Sequence, residues 1–201
     1  KDTVFLLVSH NPQSLLPTIK SRCRELRLSS LTESDLKSAL RQINLTIPEN
    51  DSEIYSLLGS GSVGNSIRLL EHDGAGLYRI LLSFLNQLPN INGFELEKFI
   101  GTLSGNKNMS RLELFIDLLN IVIARISKAG ITGHSSSNQI LEDEKDIFLK
   151  LCPNPIIATK WAELAQTQSE NLKHGLAVNL DPGSLILDMF FRIEDCARTV
   201  R

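Results

Sequence analysis

Three observations predict a mainly α-helical chain that opens with a short α/β segment. Hydrophobic residues make up 42% of the sequence but aromatics only 5%. Leu, Ile and Ala therefore fill most apolar positions, a balance that favours helices. From Leu36 onward apolar residues recur three and four apart, the spacing of one helix face. Before that, residues 3–28 read TVFLLVSHNPQSLLPTIKSRCRELRL. In this stretch a buried-strand pattern (Thr3 to Val8) ends in a polar tip (Ser9-His10-Asn11), and a short helix-like segment leads to a second strand-like run, Glu25 to Leu28. The chain thus begins inside a β-α-β unit, and it reads as a fragment whose first strand expects a sheet supplied from further upstream.

The elements follow in order. Ser29-Ser30-Leu31-Thr32 ends the second strand-like run. Thr32 is placed to N-cap a helix, because its hydroxyl can accept from the open amides of the first turn, with Asp35 three residues on. Leu36, Ala39, Leu40 and Ile43 continue that helix. A second helix, from about Glu49 to Leu58, presents Ile54, Leu57 and Leu58 and breaks at Gly59-Ser60-Gly61-Ser62. A third runs from about Val63 to His72. This small module ends near Asp73-Gly74-Ala75-Gly76. Longer helices are expected at Leu77 to Leu88, stopped by Pro89, at Phe94 to Ser104, and at Ser110 to Lys128. In the last of these, Leu112, Phe115, Leu119, Val122 and Ile126 line one face and Leu114, Leu118, Ile121 and Ile123 another, so it is expected to be buried among several helices. Gly130 to Asn138 is Gly/Ser-rich and reads as a mobile loop. Helices near Ile140 to Lys150 and Pro155 to Leu176 come next. The final helix starts after Asp181-Pro182, with Pro at a tolerated first-turn position, and carries Ile186, Met189, Phe190, Ile193, Ala197 and Val200 on one face.

Composition excludes several functions. The net charge of −2 provides no global positive field for nucleic acid, so any such contact must be local or come from a partner. The three cysteines, Cys23, Cys152 and Cys196, are odd in number and far apart, which suits reduced thiols better than a disulfide framework. No apolar run approaches the ~18 residues of a membrane span. Gly59-Ser60-Gly61-Ser62-Val63-Gly64 has the form GxGxxG, but a helix precedes it where a dinucleotide fold needs a strand, so it reads as an inter-helix turn. A phosphate-cradling GxxxxGK[ST] is absent. The histidines His10, His72, His134 and His174 are scattered and give no metal spacing. Cys23 reads as a small buried packing residue and Trp161 as core or an inter-subunit contact. The acidic run Glu142-Asp143-Glu144 reads as a solvated helix start.

The run Leu15-Leu16-Pro17-Thr18-Ile19-Lys20-Ser21-Arg22-Cys23 resembles the sensor 1 and SRC region of AAA+ clamp-loader subunits. The downstream order agrees with that family. Asn179-Leu180-Asp181-Pro182, followed by a helix ending Glu194-Asp195-Cys196-Ala197-Arg198, is similar to the end of the bacterial DNA polymerase III delta-prime subunits within it. The resemblance implies three parts: residues 1–28 as the end of an AAA+ base domain, 29–76 as a three-helix lid and 77–201 as an all-helical collar that builds a ring of five subunits. Roughly 130 to 170 residues of base domain would then precede Lys1.

In that family the SRC arginine serves as a finger toward the γ-phosphate of ATP held by a neighbouring subunit. By resemblance the role falls on Arg22, flanked by Ser21 and Cys23. A guanidinium suits it because it stays charged and forks onto two phosphate oxygens. The polar tip Ser9, His10, Asn11 matches the sensor 1 position, without singling out one of the three. The sensor 2 arginine would fall near Asn65, with Arg68 one turn later. Asn supplies no cation, so the departure fits a subunit without its own ATPase. The resemblance therefore implies a non-hydrolysing stator of a DNA polymerase III clamp loader. It would bind no cofactor itself and would face ATP-Mg on its neighbour. Its partners would be other clamp-loader subunits and, through them, the sliding clamp and primer-template DNA, in the cytoplasm. It would not be catalytic alone, although it belongs to a DNA-directed DNA polymerase (a nucleotidyltransferase holoenzyme). Two other readings remain: an ATP-hydrolysing subunit of the same complex, and a helical adaptor in which the triplet is accidental.

Overall fold

The computed structural model describes residues 3–9, 11–103, 105, 108–133, 140–141, 143–178 and 180–199, with the side chains of 169–170, 172–174 and 176–177 set aside. The chain divides into two compact units, Lys1–Ser30 and Leu31–Arg201. Ten α-helices and no strand occur among the described residues.

The first unit is sparsely structured. Thr3 to Ser9 and residues 24–30 have no regular secondary structure, so the two expected strands are not formed. The physical reason is that a strand exists through its ladder of neighbours, and neither run has one here. Leu6 is 90% exposed and Leu28 86%. A 3-10 turn at Pro12–Ser14 leads into one short helix, α1 (Pro17–Lys20), with proline at its start. Proline lacks only an amide that the first turn leaves open anyway.

The second unit begins with three helices: α2 (Glu33–Gln42), α3 (Ser52–Gly59) and α4 (Val63–Glu71). Thr32 caps α2 as its sequence position predicts, accepting from the Asp35 amide at 3.3 Å and donating to the Asp35 carboxylate at 2.7 Å. Ser62 caps α4 in the same way through the Asn65 amide. The segment of GxGxxG form is an inter-helix turn, with Ser60 and Gly61 at positive φ (50° and 69°).

Helix α5 (Gly74–Gln87) starts three residues before the expected Leu77. Gly74, expected in the segment that ends the three-helix module, is inside it and lies against Leu69, whose Cα would be 3.1 Å from an added Cβ. The helices α6 (Gly93–Leu103), α7 (Met109–Thr132), α8 (Glu144–Leu151), α9 (Pro155–Ala177) and α10 (Pro182–Arg198) complete the unit.

One continuous core runs from Leu36 to Ala197. Helix α7 is buried on several faces, as expected, and packs most extensively along α9. Four phenylalanines fill its centre, with Phe99 and Phe115 edge to face at 5.0 Å and Phe84 and Phe190 at 5.8 Å. Trp161 is fully buried and donates its indole N–H to the Leu151 carbonyl at 3.0 Å. Ile186, Met189, Phe190, Ile193 and Ala197 are buried on α10, and Val200 lies outside the described residues.

Two expectations fail in this unit. Gly130 begins no loop. It is a buried residue of α7, and a Cβ there would run into the Cys152 sulfur and come within 3.0 Å of the Ala158 Cβ. Its conformational freedom is not what the fold uses; the missing side chain lets α7 and α9 approach. Residues 134–138 of the expected loop lie outside the described residues. Glu144 is not solvated either. At 1% exposure its Oε1 accepts from Tyr78 OH (2.5 Å) and Arg125 (2.8 and 3.0 Å), and its Oε2 from the Ile140 amide (2.6 Å). Four donors and one full counter-charge explain how a carboxylate stays inside.

Candidate functional site

The SRC triplet follows α1 directly. Proline at the start of α1 fixes the direction in which the helix begins, and four residues later the chain turns out of it. Main-chain bonds hold that turn: Ser21 N to Pro17 O at 2.9 Å, Arg22 N to Ile19 O at 3.1 Å and Cys23 N to Lys20 O at 3.4 Å. The Ser21 hydroxyl donates back to the Thr18 carbonyl at 3.3 Å. Arg22 is exposed and forms no ion pair or side-chain hydrogen bond with any described residue. Lys20 and Arg24 on either side share that state. Arg27 differs, because its Nε binds Glu25 at 2.8 Å. Cys23 is exposed, so it is not the buried packing residue the sequence suggested. A segment this short, with none of its described residues buried, has no core for a thiol to enter.

At the polar tip, Ser9 is half-buried and Asn11 exposed, and His10 lies outside the described residues. The Asn11 carbonyl accepts from the Ser14 amide (3.2 Å) and hydroxyl (2.8 Å), while its side chain makes no capping bond. The tip thus anchors a turn through its main chain.

Arg68 sits on α4 in the second unit and donates through Nη1 to Asp117 of α7 at 2.7 Å. The two side chains, 36% and 52% exposed, edge a cleft of ≈ 320 Å³ floored by Leu58, Leu69, Leu114 and Leu118. The cation at this position is therefore committed to a carboxylate of its own chain. Sequence reading missed Asp117, because a partner 49 residues away leaves no local pattern. In sequence Lys20, Arg24 and Arg27 surround Arg22 as a basic cluster that reads as a solvated face, and all four are exposed. No group of His, Cys, Asp and Glu that could hold a metal occurs among the described residues, and no described helix is long and apolar enough to cross a membrane.

Chemically, the turn at 20–24 can receive an anion. It offers cations and a hydroxyl but no general base or nucleophile matched to a partner. Compared with known protein families, residues 1–32 match the family described as DNA polymerase III, delta subunit. That match supports a clamp-loader-type relation within DNA replication, carried by the segment that holds the turn. No curated protein and no solved structure matches the chain.

Proposed function

We propose that this chain is a delta-prime-like clamp-loader subunit of the AAA+ type, a stator that hydrolyses no ATP itself and presents Arg22 to ATP-Mg bound by a neighbouring subunit. The observation that carries the proposal is the state of Arg22. It is an exposed guanidinium, without an ion-pair partner among the described residues, on a hydrogen-bonded turn inside the segment that matches the DNA polymerase III family. An arginine bound to its own carboxylates would have to break those bonds before reaching a phosphate, whereas this one would not. Ser21, hydrogen-bonded to α1, would steady the turn, and Cys23 would complete the triplet.

On this reading residues 29–76 act as the lid and 77–201 as the collar of a hetero-pentamer. The assembly would place a sliding clamp on primer-template DNA in the cytoplasm, as part of a DNA-directed DNA polymerase holoenzyme. Arg68, neutralised by Asp117, supplies no nucleotide sensor, which favours a non-hydrolysing subunit over an ATP-hydrolysing one.

The test is Arg22→Ala in the assembled complex. Arginine fingers contribute about 10³–10⁵ in rate at the site they serve, so turnover at that one site should all but vanish while the complex still assembles. Unchanged turnover would leave the helical-adaptor reading in place.

A further inference from the structure

The first unit carries five basic and two acidic residues, a net +3, in a chain whose overall charge is −2, so the second unit carries −5. Three of those cations, Lys20, Arg22 and Arg24, fall within five residues, on and just after the turn that closes α1. None of them has a carboxylate partner among the described residues. Glu25, the one acidic residue in 3–30, is held by Arg27. Like charges gathered on a fixed turn repel one another until an anion reaches them. A single phosphate group is served by one forked guanidinium, so three cations in a row fit a longer anion.

We propose that Lys20, Arg22 and Arg24 together form a site for condensed phosphate, the linked phosphates of a nucleoside triphosphate rather than its terminal group alone. This deepens the reading of Arg22 given above and rests on it. Arg22 and Arg24 each supply a fork, and Lys20 acts as a point charge toward the adjoining phosphates. Residues 11–30 contain no aromatic side chain, so the turn offers no platform on which the bases of a single strand would stack. The chemistry favours linked phosphates over a single strand held by base stacking.

The experiment titrates inorganic tripolyphosphate into the 201-residue chain at low ionic strength and follows amide resonances by NMR. Shifts should concentrate at residues 20–24. Lys20→Gln and Arg24→Gln should each weaken binding about fivefold, the worth of one unit charge at contact range in water. Arg41→Gln, an exposed cation of the second unit, should change nothing. Oligothymidylate at equal phosphate concentration should bind more weakly than tripolyphosphate. Shifts scattered over the basic residues of the second unit, indifference to Lys20→Gln and Arg24→Gln, or tighter binding of oligothymidylate would each overturn the proposal. If any of these appears while Arg22→Ala still abolishes turnover in the complex, the finger stands and the extended site falls. If Arg22→Ala leaves turnover unchanged, the finger falls whatever the titration shows.

Discussion

Glu144→Gln tests the least expected part of the fold. The carboxylate receives Tyr78 and Arg125 on one oxygen and the Ile140 amide on the other. Glutamine keeps the shape but has one acceptor and one NH₂ donor. With its oxygen toward Tyr78 and Arg125, the NH₂ faces the Ile140 N–H and both donors lose their partners. The reverse orientation sets the NH₂ against Arg125. An unsatisfied buried amide costs about 1–3 kcal/mol. Removing one charge of a buried pair costs about 3–5 kcal/mol, reduced here because Arg125 keeps 24% of its side-chain surface in water. The two figures overlap, and a net loss of about 3 kcal/mol is expected. For a unit of this size that is a fall in Tm of about 6–12 °C, measurable by circular dichroism or calorimetry at neutral pH. Arg125→Gln and the double variant complete a cycle whose coupling should exceed ~1 kcal/mol. A fall below about 2 °C, under ~1 kcal/mol, would refute the claim that this group carries charge inside the protein.

Three further outcomes are expected. Gly130→Ala drives a methyl group into the Cys152 sulfur and the Ala158 side chain and should cost about 1–3 kcal/mol by overpacking, seen as a lower urea midpoint at unchanged slope. Burial, and then Glu144, push the Tyr78 hydroxyl above its ordinary value, and burial raises the Cys196 thiol to about 11. Both protonated forms are favoured by the fold, so this stability is complete below the unfolded values near 9–10 and is lost as pH rises beyond them. Tyr78→Phe should therefore lower Tm at pH ~8 but flatten its decline above pH ~10, and equal declines would exclude the tyrosine as the cause. Asp181 accepts from the Ser184 amide (2.8 Å) and hydroxyl (2.9 Å) at the start of α10, which holds its carboxyl below the usual value. Asp181→Ala should cost about 0.5–2 kcal/mol as a lost N-cap, and amide exchange should speed up first at residues 183–185.

The helices were legible because their signals are local. Thr32 and Asp181 mark starts, Pro89 a stop, and the three-four spacing from Leu112 to Ile126 marks a helix packed on several sides. What escaped was set by distant partners. Gly74 and Gly130 resemble breakers in sequence, yet Leu69, Cys152 and Ala158 decide their roles by needing the room. Glu144 stands in an acidic run typical of a solvated start, but Tyr78 and Arg125, 66 and 19 residues away, join the nearby Ile140 amide in holding it inside. The run Thr3 to Val8 has strand composition, but composition without a neighbouring ladder does not make a strand. At the site, the SRC triplet was legible as a motif. That Arg68 has a partner and Arg22 has none among the described residues was not, because ion pairing depends on which side chains the fold brings within reach.

That contrast separates two kinds of measurement. No described residue of 3–30 belongs to the core that runs from Leu36 to Ala197. Substitutions on the turn therefore remove charge without removing packing, and exposed charges of this kind alter stability by less than ~1 kcal/mol. Arg22→Ala, Lys20→Gln and Arg24→Gln should leave the unfolding of the helical unit where it was. Any loss of turnover or anion binding they cause then reports on the site itself. Were one of them to lower Tm by as much as Glu144→Gln, its side chain would be bearing on the core, and the exposed guanidinium on which the proposed function rests would no longer describe the protein.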